Sequence, residues 1–165
     1  MSNTQPLRCL TVKQPFASLI CWGVKPIENR TQKTNIRGTV LIHAGAQWYK
    51  DENEFGSKAD AKDNATCVLT LDQMLELERG QFDLLSNNQL PLSAIIGEVE
   101  IIDCVQNHPS VWAIPGYWHW VLDNAVMYPE PIPCKGALSF WKVGGALLDQ
   151  VFEQRFLAAS RDNYI

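Results

Sequence analysis

The chain has 165 residues, of which 46% are hydrophobic and 19% charged, and its formal net charge at pH 7 is −4. This composition is typical of one folded domain with a substantial core and excludes a disordered or fibrous chain. The apolar runs are far shorter than the ~20 residues of a membrane-spanning helix, and the N-terminus lacks the apolar stretch of a secretory signal. We therefore expect a single domain over residues 1–165, located in the cytoplasm.

The cysteines and the distribution of charge narrow the ligand classes. Five cysteines are spread along the chain without a CxxC pair, which predicts free buried thiols in a reducing compartment, with no metal site and no cofactor. From Arg8 to Arg37 there are six basic residues and one acidic residue, a local net charge of +5, so the remainder carries −9. The segment predicts either a site for a phosphate-bearing ligand or a solvated basic face.

The N-terminal part predicts short strands around one helix. Residues 8–12 alternate as a strand, and residues 14–22 combine an early proline with apolar residues at helical spacing before Gly23, as a short amphipathic helix does. Residues 26–30 are expected to be extended at a sheet edge, because proline cannot donate a ladder hydrogen bond. A β-prone strand follows over residues 39–43.

The rest of the chain predicts surface helices, further strands and a closing helix. The helices are expected over residues 47–64, 71–79 and 146–159, and the strands over residues 95–105, 117–122 and 138–143. Because strands and helices do not alternate regularly, the pattern favours an α+β fold, a small barrel or strongly bent sheet with helices inserted between strands. Glu98 and Glu100 are expected on a solvated strand face, without a catalytic role.

The segment GVKPIENR, residues 23–30, concentrates the candidate chemistry. In extended geometry Glu28 and Arg30 project from the same face, where the carboxylate can pair with the guanidinium or with a ligand's donors. The spacing alone does not bring Lys25 to them. An exposed ion pair beside a solvated lysine is the alternative interpretation.

Other candidate residues lie at strand ends and on an aromatic strand. Lys13 and Gln14 stand at a strand-to-helix junction, where backbone N–H groups and the lysine can hold a phosphate or carboxylate. His43 is either a packing residue or a proton shuttle. Trp118 and Trp120 share one face of their strand, and an aromatic face there either packs in the core or stacks on a base.

Read together, these segments resemble the ASCH (activating signal cointegrator homology) domain. The family's opening pattern is found in LTVKQPFASLICWGVKPIENRTQKTNIRGTVLIHA: Lys-Gln-Pro-aromatic-Ala, Gly-x-Lys, Glu-x-Arg, and Arg-Gly before an LIHA strand. The similarity continues in IIGEVEIIDCV, GYWHWVLDNAVMYPEPIPCKG and FWKV. It covers most of residues 9–143 and is weakest over residues 47–92.

The resemblance implies a PUA-like β-barrel that handles RNA or modified bases. The family's cleft lysine and arginine map onto Lys25 and Arg30. The residues expected to border one cleft, or to lie near it, are Lys13, Gln14, Lys25, Glu28, Arg30, His43, Trp118 and Lys135. Lys13, Lys25 and Arg30 would contact phosphate. Glu28 and Gln14 would recognise base edges, and Trp118 would stack on a base. Gly136, after Lys135, would allow close backbone approach.

Two other function classes stay open. One resembles a small amidohydrolase of the family that removes the acetyl group of acetylated cytidine, acting here on a modified nucleoside or on RNA. The threonine nucleophile of that enzyme is replaced by Glu28, so its mechanism does not transfer, and Glu28 or Lys25 would have to act as a general base. The other is an adaptor for a protein partner, which predicts an exposed apolar patch.

Overall fold

Six strands form one mixed sheet in the computed structural model, which describes residues 6–52, 58–60, 62 and 64–162. The strands are β1 (Leu7–Gln14), β2 (Ile27–Arg30), β3 (Gly38–Trp48), β4 (Lys50–Glu52), β5 (Lys58–Asp60), β6 (Ala94–Val105), β7 (Trp118–Pro133) and β8 (Phe140–Val143). The helices are α1 (Phe16–Cys21), α2 (Leu71–Leu75), α3 (Arg79–Ser86) and α4 (Gly145–Asp162), with a 3₁₀ turn at Ala65–Val68. The large sheet has the order β2-β7-β6-β3-β1-β8, and β4 and β5 pair separately.

The large sheet curls until its two edges approach each other. Trp120 of β7 stacks on Phe140 of the edge strand β8, with ring centroids 5.3 Å apart and planes 5° apart. Arg30 of the opposite edge strand donates from Nη2 to the carbonyl oxygen of Thr11 in β1, at 3.3 Å. Among the described strands the two edges share no ladder, so side chains close the curled sheet. The expected bent, barrel-like α+β architecture is therefore present.

Apolar side chains fill both faces of this sheet. The concave face buries Leu10, Val12, Ile42, Val99 and Ile101 together with the inner side of α1. The outer face carries Cys9, Leu41 and Ile95, which α4 covers with Leu148 and Val151. No helix in the described ranges is both long and apolar enough to cross a membrane.

Helix α4 also covers one of the two glutamates that were expected to be solvated. Glu98 accepts hydrogen bonds at Oε2 from Tyr128 and, at 2.6 Å, from Nε of Arg155, and its side chain is 16% exposed. Burial, followed by the hydrogen bond to Glu98, raises the pKa of Tyr128. The expectation was wrong for Glu98 because the strand's outer face is packed under a helix.

The strands predicted near residues 8–12, 26–30, 39–43, 95–105 and 138–143 are all present, as are the first and last helices. Strand β2 lies at a sheet edge, as expected for a segment that follows a proline. Gly23 ends the first helix with a φ of 76°, a conformation that glycine adopts readily. The strand predicted over residues 117–122 continues to Pro133.

The predicted helix over residues 47–64 is wrong in the part that the structure describes. Strand β3 continues to Trp48, and β4 and β5 follow, while residues 53–57, 61 and 63 lie outside the described ranges. Strand β3 runs on because it pairs with the parallel strand β1, with Val12 opposite Ala44 and Gln14 opposite Trp48. Pairing with a neighbouring strand overrides the local preference for helix.

The helix predicted over residues 71–79 is divided in two. Helix α2 ends at Leu75 and α3 begins at Arg79, and each is opened by a capping box. Leu71 and Leu75 are 69% and 74% exposed. Met74 packs instead against the buried cluster beneath α1.

Candidate ligand-binding cavity

A cavity of about 590 Å³ opens beside the N-terminal end of α1. Its walls come from the end of β1, from β2, from the turn before α2, and from the loops on either side of β7. This volume lies within the range of about 300–1,000 Å³ that is usual for small-molecule sites. The charged residues among those that line the cavity are Lys13, Lys25, Glu28 and Arg30.

A buried ion triad forms part of the lining. Lys25 donates from Nζ to Oε2 of Glu28 at 2.9 Å, and Arg30 donates from Nε to Oε1 of the same carboxylate at 3.0 Å. The Lys25 and Glu28 side chains are 4% and 10% exposed. Lys25 reaches Glu28 because the chain bends after Gly23, and its ammonium also donates to the carbonyl oxygen of Ile27 at 2.7 Å. The residue pattern left this convergence open, and the structure brings the three together.

Arg30 keeps part of its guanidinium free. Its Nε and Nη2 are used by Glu28 and by the Thr11 carbonyl, whereas Nη1 has no bond to a described residue. The side chain is 30% exposed, and Lys13 is an exposed second cation on the same cavity. With Lys25 and Glu28 included, the lining carries a net charge of +2 in a protein whose net charge is −4. An anionic group would be attracted here and weakly repelled elsewhere.

Aromatic side chains supply much of the remaining wall. Phe16 at the start of α1 contacts Tyr49 edge to face, with ring centroids 4.9 Å apart. The Lys25 ammonium lies 5.6 Å from the centroid of the Phe16 ring. Trp112 and Tyr117 line the cavity from the loop before β7. A base has a π-face for which such rings are suitable stacking partners.

The loop before β7 is held against β2 by polar side chains. Asn29 donates to the carbonyl oxygen of Trp112 and accepts from the backbone N–H of Ile114, both at 2.9 Å. The buried His119 accepts at Nδ1 from the backbone N–H of His108 and contacts the carbonyl oxygen of Ile114 through Nε2. Because a carbonyl only accepts, Nε2 carries the proton in the second bond. These bonds fix the position of one cavity wall.

Trp112 adds a buried donor to this wall. The residue is 2% exposed, and its Nε1–H has no hydrogen-bond partner among the described residues. Buried polar groups in proteins are nearly always paired, so such a donor calls for an acceptor. The nitrogen is itself buried, so the protein encloses this N–H and does not present it to the cavity.

Gln14 lies close to the cavity but does not line it. It is fully buried, and its side chain bonds to Ser18 through both amide atoms and to the carbonyl oxygen of Pro91 at 2.9 Å. These contacts join β1 to α1 and to the segment before β6. The amide is occupied by the protein, which explains why it is not presented to a ligand.

His43 and Lys135 also lie outside the cavity lining. His43 is 2% exposed, with Nε2 at 3.0 Å from the Cys134 carbonyl oxygen and Nδ1 at 3.3 Å from the Thr11 hydroxyl. Lys135 is exposed on the next loop. A Cβ built on Gly136 would fall 2.5 Å from the His43 ring, so the expected close backbone approach at this glycine is confirmed.

Trp118 is placed beside the cavity rather than in its wall. Its indole is half-buried, and the Lys33 ammonium lies 5.5 Å from its ring centroid. The neighbouring Trp120 is buried in the concave core, under the Arg30 guanidinium at 5.6 Å. The face of β7 that carries Trp118 and Trp120 therefore packs inward, and Lys33 and Arg30 lie over the two rings.

The two candidate catalytic groups both belong to the ion triad. Each oxygen of Glu28 already accepts a hydrogen bond from a cation, and the Lys25 ammonium donates to two acceptors. Their catalytic roles stay predictions. Within the described ranges no three His, Cys, Asp or Glu side chains are grouped as a metal site requires.

Comparison with known proteins places this arrangement in a family. Residues 10–132 match the sequence model of the ASCH domain. This chain belongs to the ASCH domain family. The matched range includes every charged residue that lines the cavity, and the PUA-like α+β architecture expected from the resemblance is confirmed.

Two curated proteins are similar to this chain over most of its length. The human protein "Activating signal cointegrator 1" is 28% identical over 142 residues, and its mouse counterpart of the same name is 26% identical over 142 residues. Each alignment covers 82% of this chain and 22% of the relative. The chain thus spans about a fifth of the length of these relatives.

Several lining residues are not among those predicted from the sequence. The pattern of the aromatic strand points to Trp118, whereas Trp112 and Tyr117 line the cavity. Asn29 stands between two predicted site residues, yet its role depends on a loop 83 residues later in the chain. The 137–139 segment, which completes the rim, has no motif of its own.

Apolar side chains are also exposed away from the cavity. Helix α4 presents Phe152, Phe156 and Leu157 with exposed fractions of 39%, 71% and 38%. The Arg155 guanidinium lies 5.5 Å from the centroid of the Phe152 ring. The adaptor function stays a prediction.

Proposed function

We propose that this ASCH domain binds one nucleotide unit of RNA in the cavity. The phosphate would lie against Arg30 and Lys13, and the base would lie among the aromatic side chains. The observation that carries the proposal is the cationic lining of a cavity with four aromatic side chains in its wall, in an otherwise acidic protein. The ASCH family is associated with RNA binding, which agrees with this ligand class.

Arg30 is suited to a phosphate because its remaining donor is already oriented. Two of its nitrogens are fixed by Glu28 and by the Thr11 carbonyl, so the direction of Nη1 is set before a ligand arrives. A preorganised guanidinium loses little conformational entropy when it binds an oxyanion. Lys13 can adapt, because it is exposed on a flexible stem.

Glu28 can recognise a hydrogen-bond donor on a base edge. A carboxylate has about four acceptor positions, and the two cations use two of them. The remaining lone pairs can accept from an exocyclic amino group.

We also propose a cytoplasmic location. The thiols of Cys9, Cys21, Cys104 and Cys134 are free. The first three are buried, and burial raises the pKa values of the Cys9 and Cys21 thiols. Free thiols are usual in a reducing compartment. Cys67 is exposed, unlike the buried thiols expected from the sequence.

The proposal is tested by titrating the four ribonucleoside 5′-monophosphates and their nucleosides into the parent protein and into Arg30→Gln at low salt. We expect Arg30→Gln to weaken binding of the preferred monophosphate by roughly tenfold to a hundredfold, because a charge-assisted hydrogen bond contributes about 1.5–3 kcal/mol. The matching nucleoside should lose much less affinity.

Arg37→Gln is the matched control, because Arg37 is exposed and pairs at 3.7 Å with Asp103 outside the cavity lining. It removes the same charge and should leave nucleotide affinity unchanged. Thermal unfolding of both variants separates lost binding from lost structure. Equal affinity of Arg30→Gln and the parent for every monophosphate would refute the proposed site.

A further inference from the structure

A strip of cations leads away from the cavity along the curled sheet. Its members are Arg30, Lys33, Arg8 and Lys142, and we call it the basic strip. Arg8, Lys33 and Lys142 are exposed, and none of them has an ion-pair partner among the described residues. Arg30 belongs both to the strip and to the cavity lining.

Aromatic rings lie next to several of the cations of the strip. The Arg30 guanidinium lies over Trp120, and Trp120 stacks on Phe140 of β8. Lys142 is two residues beyond Phe140 on the same strand and therefore projects from the same face. Lys33 extends the strip on the other side, with its ammonium over Trp118.

The far end of the strip contains two like charges in direct opposition. Arg8 of β1 is the cross-strand partner of Lys142 of β8 in an antiparallel pair. Side chains opposed in this way lie about 4.5–5.5 Å apart at Cβ, and like charges there are destabilising. An anion that bridged both side chains would relieve the repulsion.

We propose that the basic strip binds the phosphate backbone of a single-stranded nucleic acid whose unpaired base occupies the cavity; the inference rests on the proposed function. The strip supplies successive cations along one surface, which is how proteins follow the backbone of a single strand. A duplex does not fit, because the cavity accepts a base only when that base is unpaired and unstacked. The acidic remainder of the protein confines the backbone to this strip.

The test compares Arg8→Gln/Lys142→Gln with the parent, using fluorescence anisotropy of a short unstructured RNA oligomer between about 50 and 200 mM salt. On a single strand each phosphate contact contributes about −0.7 to the slope of log K against log salt, so losing two contacts should reduce the magnitude of the slope by about 1.4. Binding of a mononucleotide in the cavity should be unchanged. The variant should be no less stable than the parent, because it removes a like-charge pair.

Arg79→Gln/Arg161→Gln is the control, since both arginines are exposed on α3 and α4 and the change in net charge is the same. It should leave the slope and the affinity as in the parent. Loss of slope in the strip variant alone, for the RNA oligomer or for a DNA oligomer run beside it, supports the proposal, and the ratio of the two affinities identifies the preferred sugar.

Three results would overturn the proposal. An unchanged slope in the strip variant would show that Arg8 and Lys142 contact no phosphate, even if mononucleotides still bind in the cavity. Equal affinity for a duplex of the same sequence would remove the need for an unpaired base. Oligomer binding that depends on the strip, without mononucleotide binding to the parent, would refute the proposed function and with it the path from strip to cavity.

Discussion

Glu28→Gln should lower the free energy of unfolding by about 3 kcal/mol, because breaking a buried ion pair leaves an uncompensated charge. The carboxylate accepts from Lys25 and Arg30, and the Lys25 side chain is 4% exposed. A glutamine oxygen can still accept one hydrogen bond but offers no negative charge to a buried ammonium. Urea unfolding of the variant and the parent, followed by tryptophan fluorescence, measures the difference.

The double variant Lys25→Met/Glu28→Gln is the control for this prediction. It removes both members of the most buried pair and leaves Arg30, whose side chain is 30% exposed and can reach water. Replacing a buried ion pair with uncharged groups of similar volume is often neutral, so the double variant should recover at least half of the loss. A change below about 0.5 kcal/mol in Glu28→Gln would contradict the buried triad.

Gly97→Ala should destabilise the protein by about 3 kcal/mol, at the upper end of the usual cost of overpacking. A Cβ built on Gly97 falls 2.2 Å from the Val126 carbonyl oxygen and 2.8 Å from Sγ of Cys21. The first contact is with backbone of the paired strand β7, so no side-chain rotation relieves it. Thermal and urea unfolding should both show the loss.

Gly80→Ala is the matched control, because a Cβ at this helical glycine meets nothing within 4 Å. Alanine in a helix is favoured over glycine by roughly 0.5–1 kcal/mol, so this variant should be slightly more stable than the parent. If Gly97→Ala were as stable as the parent, α1 and β7 would have to lie farther from Gly97 than the structure shows.

Local patterns in the sequence predict the fold correctly where a single residue determines the backbone conformation or the hydrogen bonding of a segment. Gly23 ends α1, and the proline before β2 restricts that strand to an edge. Local patterns do not predict structure that depends on packing against an element distant in the sequence. Residues 44–48 extend β3 because β1 lies beside them, and Glu98 is half-buried because α4 packs over the sheet. Neither partner is adjacent in sequence.

The same distinction between local and long-range contacts explains which site residues could be predicted from the sequence. The residues of the GVKPIENR segment were identified because they are close in sequence, and the structure joins three of them in one ion triad. Gln14 and His43 were expected near a ligand, but buried hydrogen bonds to Pro91 and to Cys134 occupy them. Whether a polar side chain meets a ligand or the protein depends on long-range contacts that residue types do not encode.

The location of a bound nucleotide is the most direct test of the central claim. Crystals of the protein soaked with each ribonucleoside 5′-monophosphate should show the phosphate within hydrogen-bond distance, about 3 Å, of Nη1 of Arg30. The base should lie among the rings that line the cavity, with an edge toward Glu28. Nucleotide density only outside the cavity, or an empty cavity at saturating nucleotide, would contradict the account.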